Sequence, residues 1–290
     1  MTLAMKAEGR RVSGGLTSVR IAGVAVLAIV LVAVFAPWIA THDPFAQDLF
    51  NLNTPPAADH LLGTDHIGRD VFSRFVMGAR QTLLVGVGGT LVAFLLGGAL
   101  GLLGMAFGRW SEAAVFAFID LVRAVPGILL ALLIIVAVGE GTGPVTLALG
   151  VSFAPFFAYV ARATYKREAA QDYVRVAGLF GGSRVHVLRL HIVPNLLGSL
   201  LTQAAIILPR CIVTESVLSF LGLGSSPDAP TWGRMISDAS RYLEVSPHAI
   251  LVPIAGLITL TVGLLVLGDA LRERLDPLRL RDTRAMMGDA

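Results

Sequence analysis

Few residues in this chain have the type and spacing to do chemistry. His60 and His66 flank Gly63-Thr64-Asp65 and invite a metal-ligand reading. Six residues apart they share no helical face. A turn supported by Gly63, Asp65 and Gly68 accounts for the segment, so we assign no metal ligand. Glu215 and Arg210 lie in one long apolar run, where ionisable groups are costly and face protein or water. Five helical residues turn through about 500°, about 140° beyond a full turn, so the two do not form an intrahelical pair. Each then pairs with a neighbouring helix or subunit or lines a pathway. Cys211 is the single cysteine, which excludes an internal disulfide and any CxxC site. No paired carboxylates, Ser-His-Asp set or metal-spaced cluster points to catalysis, and no GxxxxGK[ST] offers a phosphate loop. The chain reads as a non-enzyme.

The elements that position these residues are apolar. Of 290 residues 55% are hydrophobic and 15% charged, against about 25% charged in soluble domains. The mean hydropathy is +0.74. Apolar runs near 21–40, 82–107, 115–138, 144–163, 196–222 and 249–268 are long enough to cross a hydrocarbon core of about 30 Å as helices. The predicted fold class is therefore all-α, a polytopic membrane protein with six transmembrane helices. The run at 21–40 is too long for a signal-peptide core and is read as an uncleaved first span.

Charge sets the orientation. Lys6, Arg10, Arg11 and Arg20 precede the first span, and Arg162, Lys166, Arg167, Arg175, Arg184 and Arg189 follow the fourth. Arg272, Arg274, Arg279, Arg281 and Arg284 follow the sixth. Six spans place all three clusters on one side, the cytoplasm by the positive-inside bias, with both termini there. Asp43, Asp48, Asp59, Asp65 and Asp70 then put the 41–81 segment outside, where Trp232 is expected at the membrane interface. The net charge of +3 follows from this topology and calls for no nucleic-acid partner. The predicted division is a tail at 1–20, a first helix at 21–40, an external segment at 41–81, a membrane core at 82–275 and a tail at 276–290. Pro126-Gly127 predicts a kink or local unwinding in the third span. Gly86, Gly88, Gly89, Gly97, Gly98, Gly101 and Gly104 predict close helix packing along the second.

One charged, glycine-broken interruption at 164–195 separates the fourth and fifth spans. Residues 166–180 predict an amphipathic helix with Tyr173, Ala177 and Phe180 on one face. Gly181-Gly182 predicts a turn, and Ser183 an N-cap for a second short helix that buries Val185, Leu188 and Ile192, bounded by Pro194 at the entry to the fifth span. Such a loop serves either as a membrane-surface element or as a docking knob for another protein.

This stretch resembles the cytoplasmic loop of permease subunits from binding-protein-dependent ABC importers, whose signature runs Glu-Ala-Ala, three residues, Gly, nine residues, Ile-x-Leu-Pro. In register, Gly181 is the signature glycine and Val193-Pro194 replaces Leu-Pro. The Glu-Ala-Ala slot falls on Arg175-Val176-Ala177, with a cation in place of the usual glutamate. The literal Glu168-Ala169-Ala170 lies seven residues too early and is taken as chance. The segments His60–Arg74, with Gly78-Ala79-Arg80, His191–Asn195, Glu215–Gly224, Thr231–Ile236 and Leu267–Leu280 are similar to the second-permease (C-type) subunit of the dipeptide/oligopeptide/nickel branch. The resemblance spans residues 20–280. It implies a bacterial inner-membrane protein forming half of a pathway with a second homologous permease subunit. It also implies two cytoplasmic ATPases, which hydrolyse ATP so that this chain needs no cofactor, and an external solute-binding protein. Peptides are the implied cargo, with glutathione or nickel complexes as alternatives and a secondary transporter as the remote one. The ATPase-coupling residues it implies are Arg175, Val176, Ala177, Gly181, Gly182, Ser183 and Pro194. Asp65, Arg69 and Asp70 brace the external segment or meet the partner permease, while Arg210 and Glu215 have structural or pathway roles.

Overall fold

The computed structural model describes residues 2–179, 184–224 and 229–275, with side chains from Leu16 onward except at 175, 177–179, 184–185 and 275. The helices in chain order are α1 (Thr2–Val34), α2 (Ala36–Ile39), α3 (Val71–Ala106), α4 (Arg109–Ala124), α5 (Gly127–Val138) and α6 (Thr142–Ala169). They continue as α7 (Asp172–Leu179), α8 (Arg184–Val187), a π-helical turn (Leu188–Ile192), α9 (Val193–Phe220), α10 (Trp232–Ala239), a 3-10 turn (Ser240–Tyr242) and α11 (Pro247–Leu275). Extended pairing among the described residues is limited to a single bridge between Thr64 and Asp70.

Among the described residues, five helical stretches are long and apolar enough to cross a membrane: Leu16–Val34, Val71–Ala106, Thr142–Ala169, Leu188–Phe220 and Pro247–Arg274. The third span expected from the sequence, at 115–138, is a broken one. Helices α4 and α5 meet at 90°. Proline disfavours helical backbone in the residue before it, and Val125 is extended at φ −87°, ψ 128°. Pro126 then caps α5. The kink read from Pro126-Gly127 is thus a right-angled break.

Helix α3 organises the bundle. At about 1.5 Å per residue its 36 residues run about 54 Å, beyond the hydrocarbon core. Its glycines let α6 and α9 approach closely. A Cβ at Gly97 would lie 2.1 Å from the Ala154 carbonyl oxygen, and one at Gly101 would lie 2.6 Å from Ala161 Cβ. A Cβ at Gly86 would meet Ile212 at 2.5 Å. One core joins α3, α5, α6 and α9 through Val85, Ile135, Leu149, Phe157 and Ile207. A second joins α1, α3, α10 and α11 through Val26, Val71, Trp232, Met235 and Leu260. Leucines such as Leu84, Leu91, Leu95, Leu133 and Leu251 stay exposed, as a lipid-facing exterior requires.

Trp232 departs from expectation. It is fully buried rather than at an interface, stacked on Phe75 at 5.3 Å and donating from Nε1 to the Phe75 carbonyl at 3.0 Å. Gly78 and Gly256, on two other helices, leave the room the indole occupies.

Candidate functional site

At the arginine-rich end of the bundle, α6 stops at Ala169 and the chain turns at Ala170-Gln171 into the eight-residue α7. The helix expected over 166–180 is therefore divided: Lys166 and Arg167 belong to the long α6, and only Asp172–Leu179 forms the separate element. Its seating also differs. Val174 is buried, while Tyr173 is 44% and Val176 46% exposed, so the helix turns its Val174 side inward. Arg175 and Ala177 lie in α7, and their side chains are outside the described set, as is Phe180. Gly181, Gly182 and Ser183 lie outside the described residues.

The second short helix is not a bounded unit. Arg184–Val187 passes through a π-helical turn at Leu188–Ile192 directly into α9. Pro194 sits in the first turn of α9, where its missing N–H costs no hydrogen bond; it marks the entry to the fifth span as expected but does not part it from the preceding turn. Ile192 is buried.

Glu168, set aside in the sequence reading, gathers partners from three elements at this end. It is 8% exposed. Its carboxylate accepts from Tyr173 Oη at 2.7 Å, Asn195 Nδ2 at 3.2 Å and Arg167 Nε at 3.0 Å. Asn195 Nδ2 also donates to the His191 carbonyl within the π-helical turn at 2.9 Å. The Tyr173 ring meets His191 edge-on at 5.4 Å. The Tyr173 phenol is held above its ordinary range, first by its hydrogen bond to Glu168 and then by burial. One residue thus joins the end of α6, the start of α7 and the base of α9. The only sequence signal for it was a carboxyl among arginines at the end of a long apolar helix.

A neighbouring set ties α4 to α6. Glu112 accepts from Arg162 Nε at 2.8 Å and pairs with Lys166 at 2.7 Å, and Asp120 accepts from Tyr159. Arg162 also lies over the Phe116 ring at 4.3 Å.

At the other end, Asp65 accepts from Arg69 Nε at 2.6 Å and from the Ile67 and Arg69 amides. Arg69 Nη2 reaches Asp238 of α10 at 2.9 Å. Arg74 lies 3.7 Å from both Asp65 and Asp238, and Arg234 lies 3.1 Å from Asp238. Asp70 caps α3 through the Ser73 amide at 2.8 Å and accepts from His60 Nδ1 at 2.9 Å. His66 does not join His60. It stacks on Tyr242 at 4.8 Å, and the histidine beside His60 is His42, whose Nδ1 lies 3.9 Å from Asp70. His42, His60 and Asp70 bring their ligating atoms within 4.8 Å, a grouping spacing alone missed.

Within the membrane run, Glu215 is fully buried and accepts from Ser219 Oγ at 2.7 Å and Ser216 Oγ at 3.3 Å. Arg210 is exposed on α9. The two do not share a side, as the angular argument requires.

Residues 89–281 match the family described as binding-protein-dependent transport system inner membrane component. Residues 19–56 match the N-terminal transmembrane domain of oligopeptide transport permease C. The chain is 33% identical over 254 residues to a probable D,D-dipeptide transport system permease protein of Escherichia coli (strain K12), covering 88% of this chain and 85% of the relative. It is 33% identical to a glutathione transport system permease protein of Pectobacterium atrosepticum, with 88% and 85% covered. To a di/tripeptide transport system permease protein of Pseudomonas aeruginosa it is 33% identical, with 87% and 85% covered. Among solved structures, the inward-facing methionine ABC transporter MetNI matches with TM-score 0.58 at 18% identity, over 70% of this chain and 96% of that one. An amino acid ABC transporter with histidines matches with TM-score 0.56 at 16% identity, over 70% and 94%. These last two likenesses establish the fold alone.

Proposed function

The chain belongs to the binding-protein-dependent transport inner membrane components, multi-pass proteins of the inner membrane, and on that premise we propose that it is one permease subunit of an ATP-driven peptide importer. A second homologous permease completes the pathway, two ATPases on the cytoplasmic side hydrolyse the ATP, and an external solute-binding protein delivers the cargo. The dipeptide, di/tripeptide and glutathione systems of its relatives suggest small peptides, glutathione included, as cargo.

The carrying observation is α7. It is a short helix, half-exposed at Tyr173 and Val176, interposed between the long α6 and α9 at the end where Arg162, Lys166, Arg167 and Arg189 gather. By the positive-inside bias, those cations support a cytoplasmic location for that end and for both termini. A helix so placed is suited to seat in an ATPase groove with the Arg175-Val176-Ala177 slot and with Gly181, Gly182 and Ser183 of the same loop. Closure of the ATPases then swings α6 and α9 as rigid rods, a rigid-body alternation between two arrangements. The Asp65–Arg69–Asp238 network holds the external segment on α10 so that this end moves as one piece. Arg210, exposed within a membrane run, faces the pathway or the second permease, since lipid contact is costly.

Uptake of a labelled dipeptide into proteoliposomes holding this chain and its partner subunits tests the reading. ATP, with no ion gradient, should suffice for uptake. Uptake that follows a proton gradient and ignores ATP sinks it.

A further inference from the structure

We infer that Glu168 is a positioning residue that latches the coupling helix to the two transmembrane helices it must move; this rests on the coupling role proposed above for α7. A displacement of α7 does work on the pathway only if α7 is fixed to α6 and α9. The covalent link toward α6 is a poor transmitter, because the chain breaks helix at Ala170-Gln171. In α7, Val174 packs inward and Tyr173 makes a polar attachment.

That attachment converges on one carboxylate. Glu168 sits at the last turn of α6, and one of its oxygens, Oε2, receives both Tyr173 Oη from α7 and Asn195 Nδ2 from the first turn of α9, while Oε1 receives Arg167 Nε. Hydrogen bonds to a carboxylate are shorter and stronger than neutral ones, and its burial at 8% exposure shields them from water. The latch also closes onto the π-helical turn through Asn195 to the His191 carbonyl and the Tyr173–His191 ring contact. Such turns recur at functional sites because the extra residue permits a local change of register. Load applied at α7 therefore reaches α6 directly and α9 at its most adjustable turn.

The test uses the complete importer in proteoliposomes, with substrate uptake and ATP hydrolysis measured on the same samples. Glu168→Ala should lower the substrate moved per ATP by about tenfold, the size set by losing one or two hydrogen bonds to a charged group. Glu168→Asp should recover part of it. Tyr173→Phe, which removes one hydroxyl, should lower the same ratio, and the double variant should be no worse than Glu168→Ala alone. A purely structural residue would lower uptake and hydrolysis in parallel, and that result overturns the latch. So does an unchanged ratio. If Glu168→Ala fails to assemble, the ratio for Tyr173→Phe decides. Crosslinking separates the two claims: if α7 reaches an ATPase and the ratio is unchanged, the latch alone is wrong; if α7 never reaches an ATPase, the coupling role is wrong.

Discussion

Replacing Gly97 by alanine places a methyl group where the bundle has no space. The new Cβ would lie 2.1 Å from the Ala154 carbonyl oxygen, 2.7 Å from Phe157 Cβ and 3.0 Å from the Ala154 carbonyl carbon. Ordinary contact begins at 3.4 Å. The first obstacle is backbone, which cannot rotate away as a side-chain tip can, so α3 and α6 must separate over their tightest contact. Overpacking of this kind costs about 1–3 kcal/mol. Helix propensity, worth up to about 1 kcal/mol in favour of alanine, opposes it. The net loss is therefore up to about 2 kcal/mol; at about 2–4 °C per kcal/mol for a chain of this size, the midpoint falls by up to about 8 °C. The assay is thermal unfolding of the purified chain in detergent, with Gly198→Ala as control. Gly198 lies in the interior of α9 with nothing within 4 Å of its would-be Cβ, so alanine there should leave the midpoint unchanged or raise it. If Gly97→Ala melts at or above Gly198→Ala, the close α3–α6 approach is refuted.

Two other outcomes follow from the ends of the molecule. Asp238→Ala removes the acceptor shared by Arg69, Arg74 and Arg234; with Arg74 only 2% exposed, breaking this buried network should cost about 3 kcal/mol. Asp238→Asn should recover part of that loss in the same melting assay, and an unaltered midpoint for Asp238→Ala contradicts the network. For Tyr173, the phenol donates to Glu168 only while protonated, so its contribution is full below the ordinary value of about 10 and is lost as pH rises through the higher folded value. The ultraviolet difference between wild type and Tyr173→Phe should titrate above the ordinary phenol range and return toward it in Glu168→Gln; titration at or below that range in wild type contradicts the contact.

The bundle was largely legible because apolar length is a local signal. So was the break at Pro126, since proline restricts its own neighbour. The glycine run of α3 declared a close approach, but not which helix would come near. What escaped the sequence depends on residues brought from afar. Trp232 is buried because Gly78 and Gly256 clear its place, and neither lies near it in the chain. His60 met His42 instead of His66 because the fold of the external segment, and not spacing, decides the pairing. Glu168 was passed over because a motif register measures distance along the chain. Its partners, 5 and 27 residues away, converge only once α6 and α9 stand side by side. Pro194 does mark the entry to the fifth span, but proline is at home in a helix's first turn and does not part α9 from the turn before it, so the second short helix is not a separate unit.

The central claim is that α7 is where this chain meets an ATPase. Cys211, the only cysteine, is buried, so a cysteine at Val176 gives a single reactive position on an exposed side chain. In membranes containing the complete importer, Val176→Cys should crosslink to an ATPase subunit through a short bifunctional reagent, with a yield that changes when ATP is added. Transport that persists while Val176→Cys crosslinks to no ATPase, with or without nucleotide, would contradict the account.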